Sequence, residues 1–158
     1  YSQLGYQAES GPWRNFYLTG AQDLFKKNVP YTSKLINDGV LSQMDMGTLL
    51  DYCAIQLNGE KAGGKEAVIN INFTDTKEKV MLMLKNGVLN HRLGSQDKKA
   101  DLTMEIAKMD FVKLFFGRTD LQTLRKTNKV KTTGDTKAID MIRSACEPAD
   151  PNFNIVLP

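Results

Sequence analysis

The sequence predicts an α+β domain in which a five-stranded, mainly antiparallel sheet is covered by helices on one face and preceded by an N-terminal helical appendage. Two observations lead to this fold class. Residues 65–92 contain three apolar runs separated by two turn signals, which is the pattern of an antiparallel meander. Three strands alone would leave an apolar face in water, so the helical patterns found elsewhere in the chain are expected to cover it.

The meander is the most clearly patterned part of the chain. Ala67–Phe73 alternates apolar and polar residues with the period of two that a half-buried strand requires. Lys79–Lys85 is a second apolar run, and Val88–Arg92 is a third. The dipeptide Asn86-Gly87 between the last two runs is the strongest short signal for a β-hairpin. These residues therefore predict the first three strands.

The remaining elements lie on either side of the meander. Helices are predicted where apolar residues recur every three or four positions, namely from Ser10 to about Lys27, Met46–Asn58, Lys108–Gly117, Asp120–Lys126 and Asp135–Cys146. Two further strands and a strand-like tail are predicted at Ala100–Ile106, Val130–Thr133 and Phe153–Leu157. The irregular residues 29–44 contain the turn-forming Asn37-Asp38-Gly39 and are interpreted as a linker.

Composition excludes several classes of function. The 158 residues are 41% apolar and 25% charged, which is ordinary for one globular domain. The net charge of +3 is weak, and the basic residues of 125–131 have no interleaved aromatic residues, so nucleic acid is not an expected partner. No apolar run approaches the roughly 18 to 20 residues of a membrane span. The chain has neither an initial Met nor a signal peptide, so we expect a piece of something longer.

The sequence offers little catalytic chemistry. His91 is the only histidine, which argues against a histidine-based zinc site or a Ser-His-Asp triad within this chain. Cys53 and Cys146 lack CxxC spacing and lie in apolar helical patterns, so they are predicted to be free thiols. No catalytic residue and no metal ligand is assigned.

The apolar residues raise two alternatives. Met81 and Met83 lie on the opposite strand face from Leu82 and Leu84, as in a strand that is covered twice or lines a cavity. An alkyl-chain pocket between sheet and helices is therefore predicted, formed by Leu49, Cys53, Leu57, Met81, Met83, Phe111, Phe115 and Phe116. Such a pocket is expected to be nearly indifferent to the ligand's head group, because no cluster of Arg or Lys is evident there. The sequence pattern alone supports an ordinary filled core as strongly as it supports a pocket.

Several segments also resemble a known family. The segment LGYQAESGPWRNFYLTGAQDL resembles the junction region of bacterial alkyl sulfatases of the metallo-β-lactamase superfamily. The segments LLDYCAIQLNG, ININFTDT, LMLKNGVLNHR and FNIVLP resemble successive parts of the C-terminal domain of those enzymes. The resemblance covers nearly the whole chain.

The resemblance implies a domain organisation. Residues 1–28 would be the end of a helical dimerisation domain, 29–44 a linker, and 45–158 a domain similar to sterol carrier protein type 2, thought to bind the substrate's hydrophobic tail. The family's HxHxDH zinc motif has no counterpart here, so zinc is expected only in a missing catalytic domain. Trp13, Phe16 and Tyr17 are expected to contact that missing part or a partner subunit.

The expected partners are a long-chain alkyl or lipid ligand, the rest of the parent sulfatase, and a second copy in a homodimer. The compartment would be the bacterial periplasm or the exterior if the parent behaves like the family, and the cytoplasm otherwise. One alternative function is a structural or dimerisation module with a filled core. A free-standing lipid or sterol carrier is a third, which the ESGPWRNFYLTGAQDL block disfavours because such a carrier would not need it.

Overall fold

The computed structural model describes residues 1–25, 37–147 and 156. The chain divides into two compact units, one formed by Tyr1–Lys34 with Ala149–Pro158 and the other by Leu35–Pro148. The predicted helix end near Lys27 lies outside the described residues, and so does the predicted strand-like tail apart from Val156.

The first unit contains two helices, α1 (Ser2–Gln7) and α2 (Gly11–Phe25). They approach each other closely at Gly5, where an added Cβ would come within 2.7 Å of the Leu18 side chain. Arg14 ties the turn between them by donating a hydrogen bond to the Ala8 carbonyl at 3.0 Å. The small residue at the crossing thus allows the two helices to pack as a pair.

The second unit is built on a sheet with the strand order β3-β2-β1-β4-β5. Its strands are β1 (Ala67–Phe73), β2 (Lys79–Lys85), β3 (Val88–Leu93), β4 (Leu102–Ile106) and β5 (Val130–Gly134). All neighbouring strands are antiparallel except β1 and β4, which are parallel. The predicted α+β class and the mainly antiparallel five-stranded sheet are confirmed.

The hairpin between β2 and β3 follows the predicted turn. Asn86 has a φ of 53° and Gly87 a φ of 73°, so both central residues adopt the left-handed conformation that a type I′ turn requires. Asn and Gly tolerate this conformation better than other residues, and the turn fixes the register that pairs Lys85 with Val88.

Six helices occur in the described part of the second unit. They are α3 (Asp38–Gln43), α4 (Met46–Ile55), α5 (Gly59–Ala62), α6 (Lys108–Phe115), α7 (Leu121–Lys126) and α8 (Lys137–Ala145). The prediction of irregular structure up to residue 44 was wrong for α3. The Asn37 side chain accepts a hydrogen bond from the Val40 N–H at 3.1 Å, so Asn37 caps a helix instead of forming an isolated turn.

One face of the sheet and the helices share a single core. Its largest fully buried side chains include the strand residues Ile69, Ile71, Phe73, Leu82, Leu84, Leu102, Met104 and Ile106, together with Leu49, Leu50 and Phe111 from the helices. On the other sheet face, Asn70 exchanges hydrogen bonds of 2.7 and 3.0 Å with the backbone of Asp97. The connection from β3 to β4 therefore packs over part of that face.

None of the helices in the ranges described above is long and apolar enough to cross a lipid bilayer.

Candidate functional site

A pocket of about 210 Å³ lies in the second unit where three helices end. Gln56, Phe116 and Cys146 are the C-terminal caps of α4, α6 and α8, and all three residues line it. Among the described residues, the lining is formed by Gln56, Phe115, Phe116, Gly117, Arg143, Cys146 and Glu147. The pocket is therefore assembled from three segments that are distant in sequence.

Aromatic rings form the apolar wall. The ring centroids of Phe115 and Phe116 are 5.5 Å apart, and Phe116 lies at the same distance from Tyr52 of α4. Phe115 also packs against Phe111 at 5.8 Å, which connects the wall to the core. Gly117 follows with a φ of 70° and ends α6, so Phe116 is left only partly buried at the edge of the pocket.

The backbone holds the ends of α4 and α8 together beneath this wall. The Asn58 N–H donates to the Ala145 carbonyl at 2.8 Å, and the Glu147 N–H donates to the Gln56 carbonyl at 2.8 Å. These two bonds satisfy carbonyl groups that would otherwise be unpaired at helix C-termini. The framework of the pocket is thus fixed by hydrogen bonds that do not depend on a ligand.

Two charged side chains complete the lining. Glu147 accepts a hydrogen bond from Asn58 Nδ2 at 2.8 Å and forms an ion pair with Lys61, and these contacts lower the pKa of its carboxyl group. Arg143 Nη1 lies 3.5 Å from a carboxylate oxygen of Asp140. Arg143 Nε is buried and has no hydrogen-bond partner among the described residues. The acid is therefore fully engaged, while the arginine is not.

The two cysteines are free thiols, as predicted. Burial raises the pKa of Cys146 to about 11 against a partial opposing effect of the Arg143 charge, and burial with the neighbouring Cys146 raises that of Cys53 to about 12. Both are protonated at neutral pH and are weak nucleophiles. Within the described ranges, no three His, Cys, Asp or Glu residues are grouped so that they could hold a metal ion.

The eight residues predicted to bind an alkyl chain are dispersed. Those that line the pocket are Phe115 and Phe116. Fully buried in the core are Leu49, Cys53 and Phe111. Leu57 is partly buried against the core. Met81 and Met83 lie opposite Asn70 and Val68 of β1, on the sheet face that does not carry the core side chains.

Five lining residues were not predicted, namely Gln56, Gly117, Arg143, Cys146 and Glu147. Each is at or near the end of a helix, where the spacing of apolar residues no longer indicates which side chains are buried. Only the tertiary structure brings them together.

A second apolar depression of about 420 Å³ lies in the first unit and is lined by Pro12, Trp13, Phe16 and Tyr17. Trp13 and Phe16 are 67% and 57% exposed, and the rings of Phe16 and Tyr17 meet edge to face at 6.3 Å. The three residues predicted to form a partner interface are therefore adjacent on α2.

Comparison with known proteins gives the family. The profile of the alkyl sulfatase C-terminal family matches residues 34–158. This chain belongs to that family. Its α+β domain is thus an alkyl sulfatase domain, and the resemblance carried by the quoted segments is confirmed.

Curated relatives match almost the whole chain. A linear primary-alkylsulfatase from Pseudomonas sp. is 39% identical over 99% of this chain and 23% of its own length. An (R)-specific secondary-alkylsulfatase from Pseudomonas sp. is 37% identical over the same two shares. This chain therefore spans about a quarter of the length of these relatives.

Solved structures agree with the sequence matches. The stereoselective inverting sec-alkylsulfatase Pisa1 from Pseudomonas sp. superposes with a TM-score of 0.84 at 36% identity, over 98% of this chain and 24% of that one. A weaker match, with a TM-score of 0.48 at 15% identity over 70% of this chain, is to a UbiJ-SCP2 ubiquinone synthesis protein.

Proposed function

We propose that this chain is the non-catalytic C-terminal part of a longer, zinc-dependent alkyl sulfatase and that its pocket binds part of a substrate's alkyl chain. The relatives that support this proposal are alkylsulfatases about four times as long as the chain. Zinc would be held by the catalytic domain of the longer protein, because the single histidine and two cysteines of this chain offer few of the ligands that zinc prefers.

The observation that best supports the proposal is the aromatic wall of Phe115 and Phe116 beside a pocket of about 210 Å³. At about 30 Å³ for each methylene-sized group, this volume holds roughly seven groups. An alkyl chain in the pocket would remove these apolar side chains from water and gain van der Waals contacts with them. The pocket thus has the surface and the size for a short aliphatic segment.

The expected affinity follows from this size. Burial of a methylene contributes about 0.8 kcal/mol, so six or seven groups supply roughly 5 kcal/mol before the costs of ordering the ligand are subtracted. A dissociation constant between about 0.1 and several mM is expected.

A chain-length series tests the proposal. We would titrate isotope-labelled protein with primary alcohols from butanol to decanol and follow its amide signals. Affinity should rise about fourfold per methylene, since 0.8 kcal/mol corresponds to that factor, and level off near seven carbons. The largest shifts should come from Phe116, Gly117 and Cys146. Affinity that ignores chain length, with shifts spread over the surface, would contradict the proposal.

A structural module is the second candidate, and the packing gives it one specific support. Leu49, Cys53 and Phe111 have no exposed surface, so the space between sheet and helices is filled. A pocket of about 210 Å³ is also below the roughly 300 to 1,000 Å³ of most ligand sites. Under this alternative the alcohol series would produce no saturable shifts at the pocket.

We also propose that the aromatic face of α2 is covered by the part of the longer protein that precedes this chain. The family profile begins at residue 34, and the relatives extend well beyond the chain, so α2 belongs to the region before the C-terminal domain. Two neighbouring aromatic side chains that are more than half exposed form a surface typical of an interface.

Sedimentation tests this interface. The isolated chain should self-associate in a concentration-dependent manner because the uncovered face finds a second copy, and Trp13→Ser with Phe16→Ser should make it monomeric. A wild-type chain that stays monomeric up to about 1 mM would contradict this interpretation.

A further inference from the structure

Arg143 differs from Glu147, the other charged residue of the pocket lining, because its hydrogen-bond donors are not all used by other described residues. It lies in the last turn of α8, its side chain is 22% exposed, and its contact with Asp140 is 3.5 Å long. Asp140 is itself 62% exposed, so the pair is well solvated and weak. Arg143 lines the largely apolar pocket, and no hydrogen bond of its guanidinium group to another described residue accompanies the weak contact with Asp140. Its terminal N–H groups therefore keep hydrogen-bonding capacity for a ligand.

The other polar groups around the pocket are already satisfied. Both carboxylate oxygens of Glu147 are engaged, one by Asn58 and one by the Lys61 ammonium group, which neutralises its charge. The Gln56 and Ala145 carbonyls accept backbone hydrogen bonds, which weakens the negative ends of α4 and α8. Arg143 is thus the positive group of the lining that is left to meet a ligand.

We propose that Arg143 binds the anionic head group of an amphiphile whose alkyl part contacts Phe115 and Phe116. This inference rests on the proposed function and adds to it the chemical class of the ligand, an alkyl chain ending in a sulfate ester or carboxylate. The guanidinium group presents paired N–H donors whose spacing matches two oxygens of such a group. Apolar walls exclude water and strengthen the charge-assisted bond. Contrary to the sequence-based expectation, the pocket discriminates between head groups.

The proposal has a consequence for how the longer enzyme uses this domain. A head group bound at Arg143 cannot at the same time be at a sulfate-cleaving centre elsewhere in that enzyme. The domain therefore holds the whole amphiphile, head and chain together, before or after catalysis. It does not only grip the tail of a substrate that is being cleaved.

The test compares hexyl sulfate, hexanoate and hexanol, which share one chain length and differ in head group. With the 158-residue chain, hexyl sulfate and hexanoate should bind about tenfold more tightly than hexanol, and salt should reduce this advantage. Arg143→Met should abolish the advantage and leave hexanol binding within twofold of wild type. Asp140→Asn, which removes the competing carboxylate, should strengthen sulfate binding about twofold to threefold.

Arg92→Met is the matched control. Arg92 is an exposed residue of β3, so this variant loses the same net charge away from the pocket and should bind all three ligands as wild type does. The amide spectrum of each variant reports whether it is folded.

The outcomes separate the two proposals. Equal affinity for the three ligands, with Arg143→Met binding as wild type, overturns the role of Arg143 and leaves alkyl binding intact. An equal loss of hexanol and hexyl sulfate in folded Arg143→Met also overturns it, because the arginine would then only support the pocket. Failure of every ligand to bind the wild-type chain refutes the proposed function itself.

Discussion

Replacing Phe116 with alanine probes the pocket more cleanly than replacing Phe115. Phe115 is 4% exposed and belongs to the core, so its loss would cost about 3 to 5 kcal/mol of folding free energy. Phe116 is only partly buried and lines the pocket. Its truncation should therefore cost less, about 1 to 2 kcal/mol. For a chain of this size that lowers the melting temperature by roughly 3 to 6 °C.

Phe116→Ala should also weaken the binding of an alkyl chain. Phe116 supplies one of the two aromatic walls, and its removal should deprive an alkyl chain of contact over about two methylenes. At about 0.8 kcal/mol each, this is roughly a fifteenfold loss of affinity for heptanol. The affinity would be measured by amide titration and the stability by thermal unfolding of the same samples.

Leu93→Ala provides the comparison. Leu93 is 52% exposed at the end of β3 and does not line the pocket, so its truncation should leave heptanol binding unchanged. Should Phe116→Ala lower the melting temperature as expected and still bind heptanol with wild-type affinity, the pocket would not be the alkyl site.

Four further predictions address the reactivity of Cys146, the stability at high pH, the support of α6, and the metal. Cys146 should react slowly with iodoacetamide at pH 8 because its pKa is raised to about 11, and bound octanol should slow the reaction further. Labelling would be followed by mass spectrometry. Equal rates with and without octanol would count against alkyl binding in the pocket. Because the raised thiol pKa values favour the protonated folded state, their stabilising contribution is full below pH 9 and is lost as the pH rises toward about 11 to 12, which unfolding at a series of pH values would show. Asp75→Ala should lower the melting temperature by about 2 to 4 °C, because the Asp75 carboxylate accepts a hydrogen bond from the Lys108 N–H at 3.0 Å and caps the first turn of α6. An unchanged melting temperature would contradict this role. The chelator-washed chain should contain no stoichiometric zinc and should not hydrolyse alkyl sulfates, and elemental analysis with a sulfate-release assay would reveal either.

Local patterns predicted the sheet well because each strand carries its own signal. Alternation in Ala67–Phe73 and the left-handed turn at Asn86-Gly87 are properties of neighbouring residues, and they determine which face is buried. The parallel pairing of β1 with β4 could not be read in this way, because it depends on the long connection that crosses from one edge of the meander to the other.

Polar residues in turns were harder to interpret. Asp75 lies in the turn between β1 and β2, where a solvated charge is the usual expectation, yet it caps a helix 33 positions later in the chain. Asn37 was assigned to a turn and begins α3. Asp and Asn side chains accept hydrogen bonds from backbone N–H groups both in turns and at helix N-termini, and only the tertiary structure shows which role each residue has.

The pocket shows the same limit. The aromatic residues of α6 led to the prediction that Phe115 and Phe116 line a pocket. However, the sequence does not reveal whether a given apolar residue of a helix faces the core or a pocket. Arg143 gave no signal, because an arginine in the last turn of a helix is expected from the helix dipole alone. Its importance comes from the folded structure, which places Arg143 in the lining of the pocket with only a weak contact to Asp140.

Intermolecular nuclear Overhauser effects between protonated octanol and the isotope-labelled chain would locate the bound alkyl chain itself. We expect contacts from the ligand methyl and methylene groups to the rings of Phe115 and Phe116 and to the side chain of Cys146. Contacts confined to Trp13 and Phe16 in the other apolar depression, with none to α6, would contradict it.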